Sequence, residues 1–247
     1  MVSSPLRSIR LRRRQSTVSC MGTVKAVAFD CDGVLADAGS SWAVIHSHFG
    51  TGDGTLLSAF LNKEITDEEF MRDDIRQWKE VQPKIHRDEL FRCYSGVQLM
   101  EGARDVVSAL QERGVHVVII SAGVDLFVST IASMLNVDDW AANGFSYDDE
   151  GFLMDEGVCR VPAWNKGEMV EKLIRINGFD PSEVVSVGDS SMDLSMYVPG
   201  SRFIGFNPTR EEAHSAFNSA EVPVVPGPNL RDIWSTLFNG EEFPAES

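Results

Sequence analysis

The stretch VKAVAFDCDGVLAD (residues 24–37) places two aspartates, Asp30 and Asp32, directly after a run of mostly apolar residues. The run has the composition of a short strand that is buried on both faces. In open α/β sheets, ligands bind at the carboxyl ends of the strands. The stretch therefore predicts a buried strand that ends by presenting Asp30 and Asp32 at a functional edge.

Further short, apolar, β-branched segments predict more strands at 115–121, 183–188, 202–206 and, more weakly, 222–225. Helical periodicity lies between them: apolar residues share one face within 103–110 and 169–174, and Gly114 and Gly178 follow as stop signals. This alternation predicts an α/β fold with a doubly wound parallel sheet.

Two segments interrupt the alternation. Residues 39–97 contain no good strand and include helical patterns such as SSWAVIHSHFG, so they predict a small α-helical cap inserted after the first strand. Residues 143–161 predict a β-hairpin that turns at Asp149-Glu150-Gly151. The remaining boundaries follow from these: a core at 22–38 and 98–240, and a flexible tail at 241–247.

Composition limits the partners. The chain has 247 residues, with 22 Lys and Arg against 37 Asp and Glu, and a net charge of −15. Such an acidic protein repels polyanions, so nucleic acid is not an expected partner. No apolar run approaches the roughly 18 residues of a membrane span. We expect a monomer or homodimer that binds a small molecule.

The cysteines lack CxxC or metal-ligand spacing and are typical of reduced thiols in a cytoplasmic protein: Cys20, Cys31, Cys93 and Cys159.

Residues 1–21 form a distinct leader, with five arginines and no acidic residue. This composition is typical of an organellar transit peptide. It also fits a disordered or untranslated leader, with Met21 as the working start before the first strand. The first interpretation predicts an organellar protein and the second a cytoplasmic one.

Polar residues follow other predicted strands too. Ser121, Ala122 and Gly123 end the second strand, and Asp189 follows the segment 183–188, with Asp193 four residues later. Several carboxylates in one crevice are costly without a cation, and oxygen ligands suit Mg²⁺. The sequence therefore predicts a magnesium site whose ligands are Asp30, Asp32 and Asp189.

These residue types suit phosphoryl transfer. The Asp30 carboxylate can attack phosphorus and form an aspartyl-phosphate, while Asp32 serves as acid and then base. Gly33 permits a tight turn that directs amide groups at the phosphate. We expect the phosphate to be bound by Ser121, Ala122, Gly123 and Lys166, which begins a predicted helix. Supporting roles are expected for Gly33, Ser190 and Asp193. Of these, Asp193 either ligates the metal through water or orients Lys166.

Together, FDCDGVLAD, IISAG, NKG (165–167) and VGDSSMDLSM resemble the four motifs of the haloacid-dehalogenase-like (HAD) hydrolases, in order and approximate spacing. The segment SAGVDLFV, the Lys-Gly pair and the insertion after the first motif are similar to the phosphoserine phosphatase-like branch. The phosphoglucomutase-like branch tends instead to carry Lys-Pro at the third motif. The resemblance implies a HAD-like, Rossmann-type core and a magnesium-dependent phosphomonoesterase that forms an aspartyl-phosphate intermediate.

The resemblance weakens where the substrate would be recognised. Phosphoserine phosphatases usually place a Glu after the first motif for the substrate ammonium and a cap Arg for its carboxylate. The corresponding positions here hold Gly39 and, approximately, Asp74, with Arg72, Arg76 or Arg87 as candidate substitutes for the arginine. Phosphoserine is the leading single substrate. Phosphosugars, phosphoglycerate and phosphoglycolate are the alternatives.

Other interpretations fit less well or stay open. A calcium loop starting at Asp30 would have its glycine at the sixth position and a Glu where Ser41 stands. A haloacid dehalogenase lacks the second aspartate, and a P-type ATPase needs a DKTGT-like motif and membrane spans. A phosphomutase and a non-catalytic HAD-like binding module remain alternatives. His46 and His48 would lie on different helix faces, so we expect packing or exposure rather than a metal pair.

Overall fold

The computed structural model describes residues 23–52 and 56–244. Within these residues the strands are β1 Ala26–Phe29, β2 His116–Val124, β3 Asp139–Tyr147, β4 Leu153–Val158, β5 Val184–Gly188, β6 Arg202–Phe206 and β7 Val224–Val225. They form one sheet in the order β4-β3-β2-β1-β5-β6-β7. All neighbours pair in parallel except β3 and β4. The predicted α/β fold with a doubly wound, mostly parallel sheet is confirmed.

Helices cover both faces of this sheet. They are α1 Ser41–Phe49, α2 Leu57–Leu61, α3 Asp67–Val81, α4 Arg87–Cys93, α5 Ala103–Glu112, α6 Asp125–Leu135, α7 Gly167–Asn177, α8 Glu211–Ser219 and α9 Trp234–Leu237, with short 3₁₀ helices at Pro181–Glu183, Ser191–Met196 and Leu230–Ile233. Strand β1 packs on both sides, because Val27 and Phe29 enter one buried apolar cluster and Ala26 and Ala28 enter the other. Its continuous apolar sequence follows from this position at the centre of the sheet.

The predicted hairpin is present, with Gly151 in its turn at φ 87°. Its first strand, however, starts at Asp139 rather than at residue 143, and it also pairs in parallel with β2. The stretch DWAAN has little β-branched character, so its strand conformation depends on pairing with β2. The sheet therefore continues past β2 by two strands, and β4 forms an antiparallel edge.

Helices α1 to α4 occupy the segment for which we predicted a helical cap. Helix α3 begins with a capping box in which the Thr66 hydroxyl and the Glu69 carboxylate accept each other's backbone N–H. One face of α3 is buried through Met71, Ile75 and Trp78, and Asp74 lies on that same face. A carboxylate among these apolar residues is unusual and directs attention to its surroundings.

The two ends of the chain differ in how far they are described. The predicted leader, residues 1–21, lies outside the described residues, as do residues 245–247. The described part of the predicted flexible tail contacts the core: Glu241 pairs with Arg113, and Phe243 packs edge-on against Trp234 at 5.1 Å between ring centroids. Among the described residues, no helix combines the length and apolar character needed to cross a membrane.

Candidate active site

Asp30 stands at the carboxyl edge of the sheet, directly after β1. Its backbone N–H donates to the Val187 carbonyl of β5 at 2.9 Å, which continues the parallel pairing one residue beyond the strand. The side chain is buried, and Oδ1 accepts a hydrogen bond from Lys166 Nζ at 2.9 Å. From β1 the chain builds β2, β3 and β4 on one side and then returns to form β5 on the other side of β1, so Asp30 lies at a topological switch point of the sheet.

The turn after Asp30 brings the backbone against Asp189. Gly33 has φ 76°, and a Cβ at this position would lie 2.5 Å from Asp189 Oδ2. Glycine is therefore required both for the backbone conformation and for this close approach. The turn is closed by the Cys31 carbonyl, which accepts the N–H groups of Leu35 and Ala36 at 3.0 Å each.

Asp32 is anchored through one carboxylate oxygen. Its Oδ2 accepts both the backbone N–H of Ser41, at 2.7 Å, and the Ser41 hydroxyl, at 2.8 Å. Its Oδ1 is buried and has no hydrogen-bond partner among the described groups. Burial raises the pKa of Asp32 above its ordinary value, against the lowering effect of the Ser41 hydrogen bonds. One oxygen is thus fixed while the other is available to exchange a proton.

Ser41 is a site residue that the sequence did not predict as one. Besides contacting Asp32, its Oγ accepts the backbone N–H of Val124 at 3.0 Å, and its carbonyl accepts the Tyr94 hydroxyl at 3.1 Å. In the sequence, Ser40 and Ser41 are simply typical of a helix start. The serine that holds Asp32 can be distinguished only once β2 and α1 are placed beside β1.

Lys166 is the central cation of the site. Its Nζ lies 2.9 Å from Asp30 Oδ1 and 2.5 Å from Asp193 Oδ1, and the side chain is almost completely buried. Burial by itself would lower the pKa of Lys166, but Asp193 and Asp30 outweigh it and the pKa is raised. Lys166 is therefore charged, as expected of a residue that offsets charge on a phosphoryl group.

Asp193 fixes Lys166 in place. It is fully buried, and its Oδ2 accepts the N–H and hydroxyl of Ser190 at 2.9 and 2.7 Å and the N–H of Asp189 at 3.2 Å. Its other oxygen is occupied by Lys166. Of the two predicted roles for Asp193, this geometry favours orientation of Lys166.

Three carboxylates converge closely enough to hold a cation. One oxygen from each of Asp30, Asp189 and Asp193 lies within 4.8 Å of the others. The pKa values of Asp30 and Asp189 are both raised, first by burial and then by the charge of Asp193. A divalent cation would offset this repulsion, and carboxylate donors suit Mg²⁺. The side chain of Asp32, predicted as a third ligand, is not part of this group.

The segment Ser121-Ala122-Gly123 lies beside Asp32 at the end of β2. Ser121 is buried, and its Oγ accepts the backbone N–H of Gly123 at 3.0 Å. A Cβ on Gly123 would lie 2.6 Å from Ser41 Oγ and 3.0 Å from Asp32 Oδ2. Glycine thus leaves space for the Asp32–Ser41 contact, and the structure brings this predicted segment to the aspartates.

Asn143 supports the same segment from β3 and was not predicted. Its side-chain amide donates to the carbonyls of Ala122, at 3.1 Å, and Val161, at 3.0 Å, while its Oδ1 accepts the Val161 N–H at 2.8 Å. A buried asparagine satisfied in this way holds three segments in register. The sequence gives no sign of this role for Asn143, because the role depends on the parallel pairing of β3 with β2.

A cavity of about 740 Å³ connects these groups to the cap. At one end it is lined by Asp30, Asp32, Ser121, Lys166 and Asp189, and at the other by residues of the first three helices: Trp42, His46, Phe60, Phe70, Met71 and Asp74. The size suits a small organic ligand.

The arginines proposed to bind a substrate carboxylate lie elsewhere. Arg72 forms a bidentate pair with Glu156 at 3.0 Å, and both side chains are exposed. Arg76 pairs with Asp73 and Glu80, also on the exposed side of α3. Arg87, like these two, is not among the described residues that line the cavity.

Comparison with known proteins gives one consistent picture. Residues 24–197 match the family described as haloacid dehalogenase-like hydrolase. A phosphoserine phosphatase of Archaeoglobus fulgidus is 28% identical over 186 residues, which are 74% of this chain and 52% of that protein. The chain thus spans about half the length of this relative.

Two solved structures share the fold. A substrate-bound phosphoserine phosphatase complex superposes with a TM-score of 0.70 at 22% sequence identity. The match covers 87% of this chain and 99% of the chain in that complex. A phospho-aspartyl intermediate analogue of phosphoserine phosphatase gives 0.70 at 23% identity, with the same coverage. At this level of identity the similarity concerns the fold.

Proposed function

The chain belongs to the haloacid dehalogenase-like hydrolases, and from this premise we propose that it is a magnesium-dependent phosphomonoesterase acting through a phosphorylated Asp30. The observation that carries the proposal is the position of the buried Asp30 carboxylate. It lies at the base of the cavity, between the cation Lys166 and an aspartate with an unoccupied oxygen, Asp32. A nucleophile, a charge-offsetting group and an acid–base residue thus meet at one point.

In the first step, the Asp30 carboxylate attacks phosphorus. Since Oδ1 accepts from Lys166, Oδ2 is the attacking atom. The bond between phosphorus and the ester oxygen breaks, and Asp32 gives its proton to that oxygen, which leaves as an alcohol. The raised pKa of Asp32 favours the protonated form that this step requires.

In the second step, Asp32 takes a proton from water, and the resulting nucleophile attacks the aspartyl-phosphate. The bond between phosphorus and the Asp30 oxygen breaks, so that inorganic phosphate leaves and both aspartates return to their first state. Lys166 offsets charge on the phosphoryl oxygens throughout, and Asp193 keeps it in position.

Magnesium would be held by Asp30 and Asp189. When bound, it supplies neutralisation of the negative charge shared by these carboxylates and the phosphoryl group. Asp193 is not proposed as a direct ligand, because both its oxygens are engaged by Lys166 and Ser190. The relatives named phosphoserine phosphatase make phosphoserine the first natural substrate to test, with phosphosugars, phosphoglycerate and phosphoglycolate after it.

Metal removal should test the proposal. We expect the full chain to release phosphate from phenyl phosphate with Mg²⁺ and to lose about 99% or more of this rate in excess EDTA, because the carboxylate cluster then repels the phosphate. Adding Mg²⁺ beyond the EDTA concentration should restore the rate. Undiminished release in EDTA would contradict a magnesium-dependent reaction. Phosphate release without a bisphosphate activator would also argue against a phosphomutase.

The variant Ser41→Ala should lower kcat by about tenfold, because Asp32 loses one of the two hydrogen bonds that fix Oδ2. Phosphate release from phenyl phosphate under saturating conditions measures this effect. The control is Ser40→Ala, which removes the neighbouring hydroxyl that caps α1 without contacting Asp32. We expect this control to keep kcat within about twofold. Equal kcat values for the two variants would contradict a role of Ser41 in positioning Asp32.

A further inference from the structure

The cap end of the cavity contains a buried aspartate–histidine pair. Asp74 on α3 is fully buried, and His46 on α1 is 4% exposed. His46 Nε2 lies 3.1 Å from Asp74 Oδ1, and both residues line the cavity. Asp74 occupies approximately the position where the resemblance implied an arginine.

His46 is held in place through its ring nitrogens. The indole N–H of Trp78 donates to His46 Nδ1 at 3.1 Å, and Thr51 Oγ1 lies 2.7 Å from the same nitrogen. With Nδ1 held on this side, Nε2 faces Asp74, so His46 fixes the position of the Asp74 carboxylate from α1.

Other charged groups at this end are also acidic or are already engaged. Asp67, at the start of α3, lines the cavity, and its Oδ1 accepts the Ala163 N–H at 2.9 Å. Among the described lining residues, the cations are Lys166, held by two aspartates, and Arg210, on the exposed loop before α8. The charged groups of the cap wall are therefore mainly acidic, with Asp67 at the cavity and Asp74 buried just behind its surface, and this wall would repel a ligand carboxylate.

Aromatic rings complete this wall. Trp42 is fixed by its indole N–H, which donates to the Ala122 carbonyl at 3.0 Å. Phe60 and Phe70 stack with ring centroids 4.5 Å apart. Trp164 also lines the cavity, and one exposed ammonium group, that of Lys63, already lies 4.3 Å from its ring centroid. Aromatic faces next to carboxylates favour an ammonium group through cation–π attraction.

We propose that the cap end selects phosphate monoesters of small amino alcohols, which carry an ammonium group and no carboxylate, over phosphoserine. This inference rests on the proposed phosphatase function. With the phosphate at Asp30, the ammonium group faces Asp74 and the aromatic wall. The additional carboxylate of phosphoserine would face Asp67 and Asp74, because Arg72 and Arg76 are paired on the outer side of α3 and Arg87 does not line the cavity.

Three substrates that differ by single groups test this in the full chain with Mg²⁺. O-phosphoethanolamine carries the ammonium group, L-phosphoserine adds a carboxylate, and n-propyl phosphate replaces the ammonium by a methyl group. We expect kcat/KM for phosphoethanolamine to exceed that for each of the other two by about tenfold or more. A value for phosphoserine or n-propyl phosphate equal to or above that for phosphoethanolamine would overturn the inference.

A matched pair of variants locates the effect. In Asp74→Asn, which removes the charge and keeps the shape, the ratio of kcat/KM for phosphoethanolamine to that for n-propyl phosphate should fall about fivefold or more. In Asp73→Asn, the ratio should stay unchanged, because Asp73 contacts Arg76 and Gln77 outside the cavity. An unchanged ratio in folded Asp74→Asn would contradict recognition by Asp74. If that variant does not fold, the three wild-type values still decide the substrate class.

The outcomes also separate this inference from the proposed function. Release of phosphate from phenyl phosphate, without preference among the three substrates, would contradict only the substrate class. No release from any of the four would contradict the phosphatase function itself.

Discussion

Replacing Asp30 by asparagine is expected to lower kcat by about 10³-fold or more, the largest effect of any single substitution in this account. The amide has nearly the shape of the carboxylate, so the packing around β1 is kept. It cannot attack phosphorus, however, because the amide lacks the anionic oxygen. Lys166 retains its second partner, Asp193, at 2.5 Å and should stay in place.

Phosphate release from phenyl phosphate with Mg²⁺ measures this loss. Asp37→Asn provides the control, since it makes the same chemical change in the same sequence stretch at an exposed position outside the active-site cavity. We expect kcat of this control to stay within about twofold of the wild-type value. If Asp30→Asn retained about a tenth or more of the wild-type kcat, Asp30 would not be the nucleophile.

Replacing Lys166 by methionine is expected to lower kcat/KM by about 10²-fold to 10³-fold. The substitution keeps most of the side-chain volume and removes the charge that lies between Asp30 and Asp193. Lys166 lowers the pKa of Asp30, so its loss raises that pKa further and leaves less of the nucleophilic carboxylate at neutral pH. Charge on the phosphoryl oxygens also goes uncompensated.

Stability must be measured alongside activity, because breaking a buried ion pair costs about 3–5 kcal/mol. The rate is therefore expressed per folded chain, from unfolding curves recorded in the assay buffer. Lys172→Met, at an exposed position of the same helix α7, is the matched control and should leave kcat/KM unchanged. A folded Lys166→Met variant with wild-type kcat/KM would exclude a role for Lys166 in charge compensation.

Much of the site could be predicted because its residues follow strand ends. Asp30 and Asp189 directly follow β1 and β5, Ser121 lies among the last four residues of β2, and parallel strands bring their carboxyl ends to one edge. Lys166 is predicted from its place at the start of the helix that leads to β5, and the structure explains the glycine that follows it. A Cβ on Gly167 would lie 2.4 Å from the Ser195 carbonyl oxygen, so only glycine lets α7 approach closely enough.

What was missed depends on contacts between distant segments. Ser41 holds Asp32 only after the cap helix α1 returns to β2, and Asn143 acts only after β3 pairs with β2. The sequence shows only that Asp74 stands near the position of an expected arginine, because its burial beside His46 depends on the packing of α1 against α3. His46 is packed against Trp78 and His48 is exposed beside Glu89, so the two side chains lie in different surroundings, as their spacing predicts. Local sequence pattern therefore predicted which residues gather at the candidate site, whereas the contacts of Ser41, Asn143 and Asp74 follow only from tertiary packing.

The most direct test of the central claim is to trap the phosphoryl group on the protein. The full chain is mixed with Mg²⁺ and ³²P-labelled substrate, quenched in acid within the first turnover, and reduced with borohydride, which converts an aspartyl-phosphate into homoserine. We predict label that forms and decays at the turnover rate, and homoserine at position 30 in the peptide covering residues 24–37. Turnover without labelled protein, or modification of another residue in place of Asp30, would contradict the account.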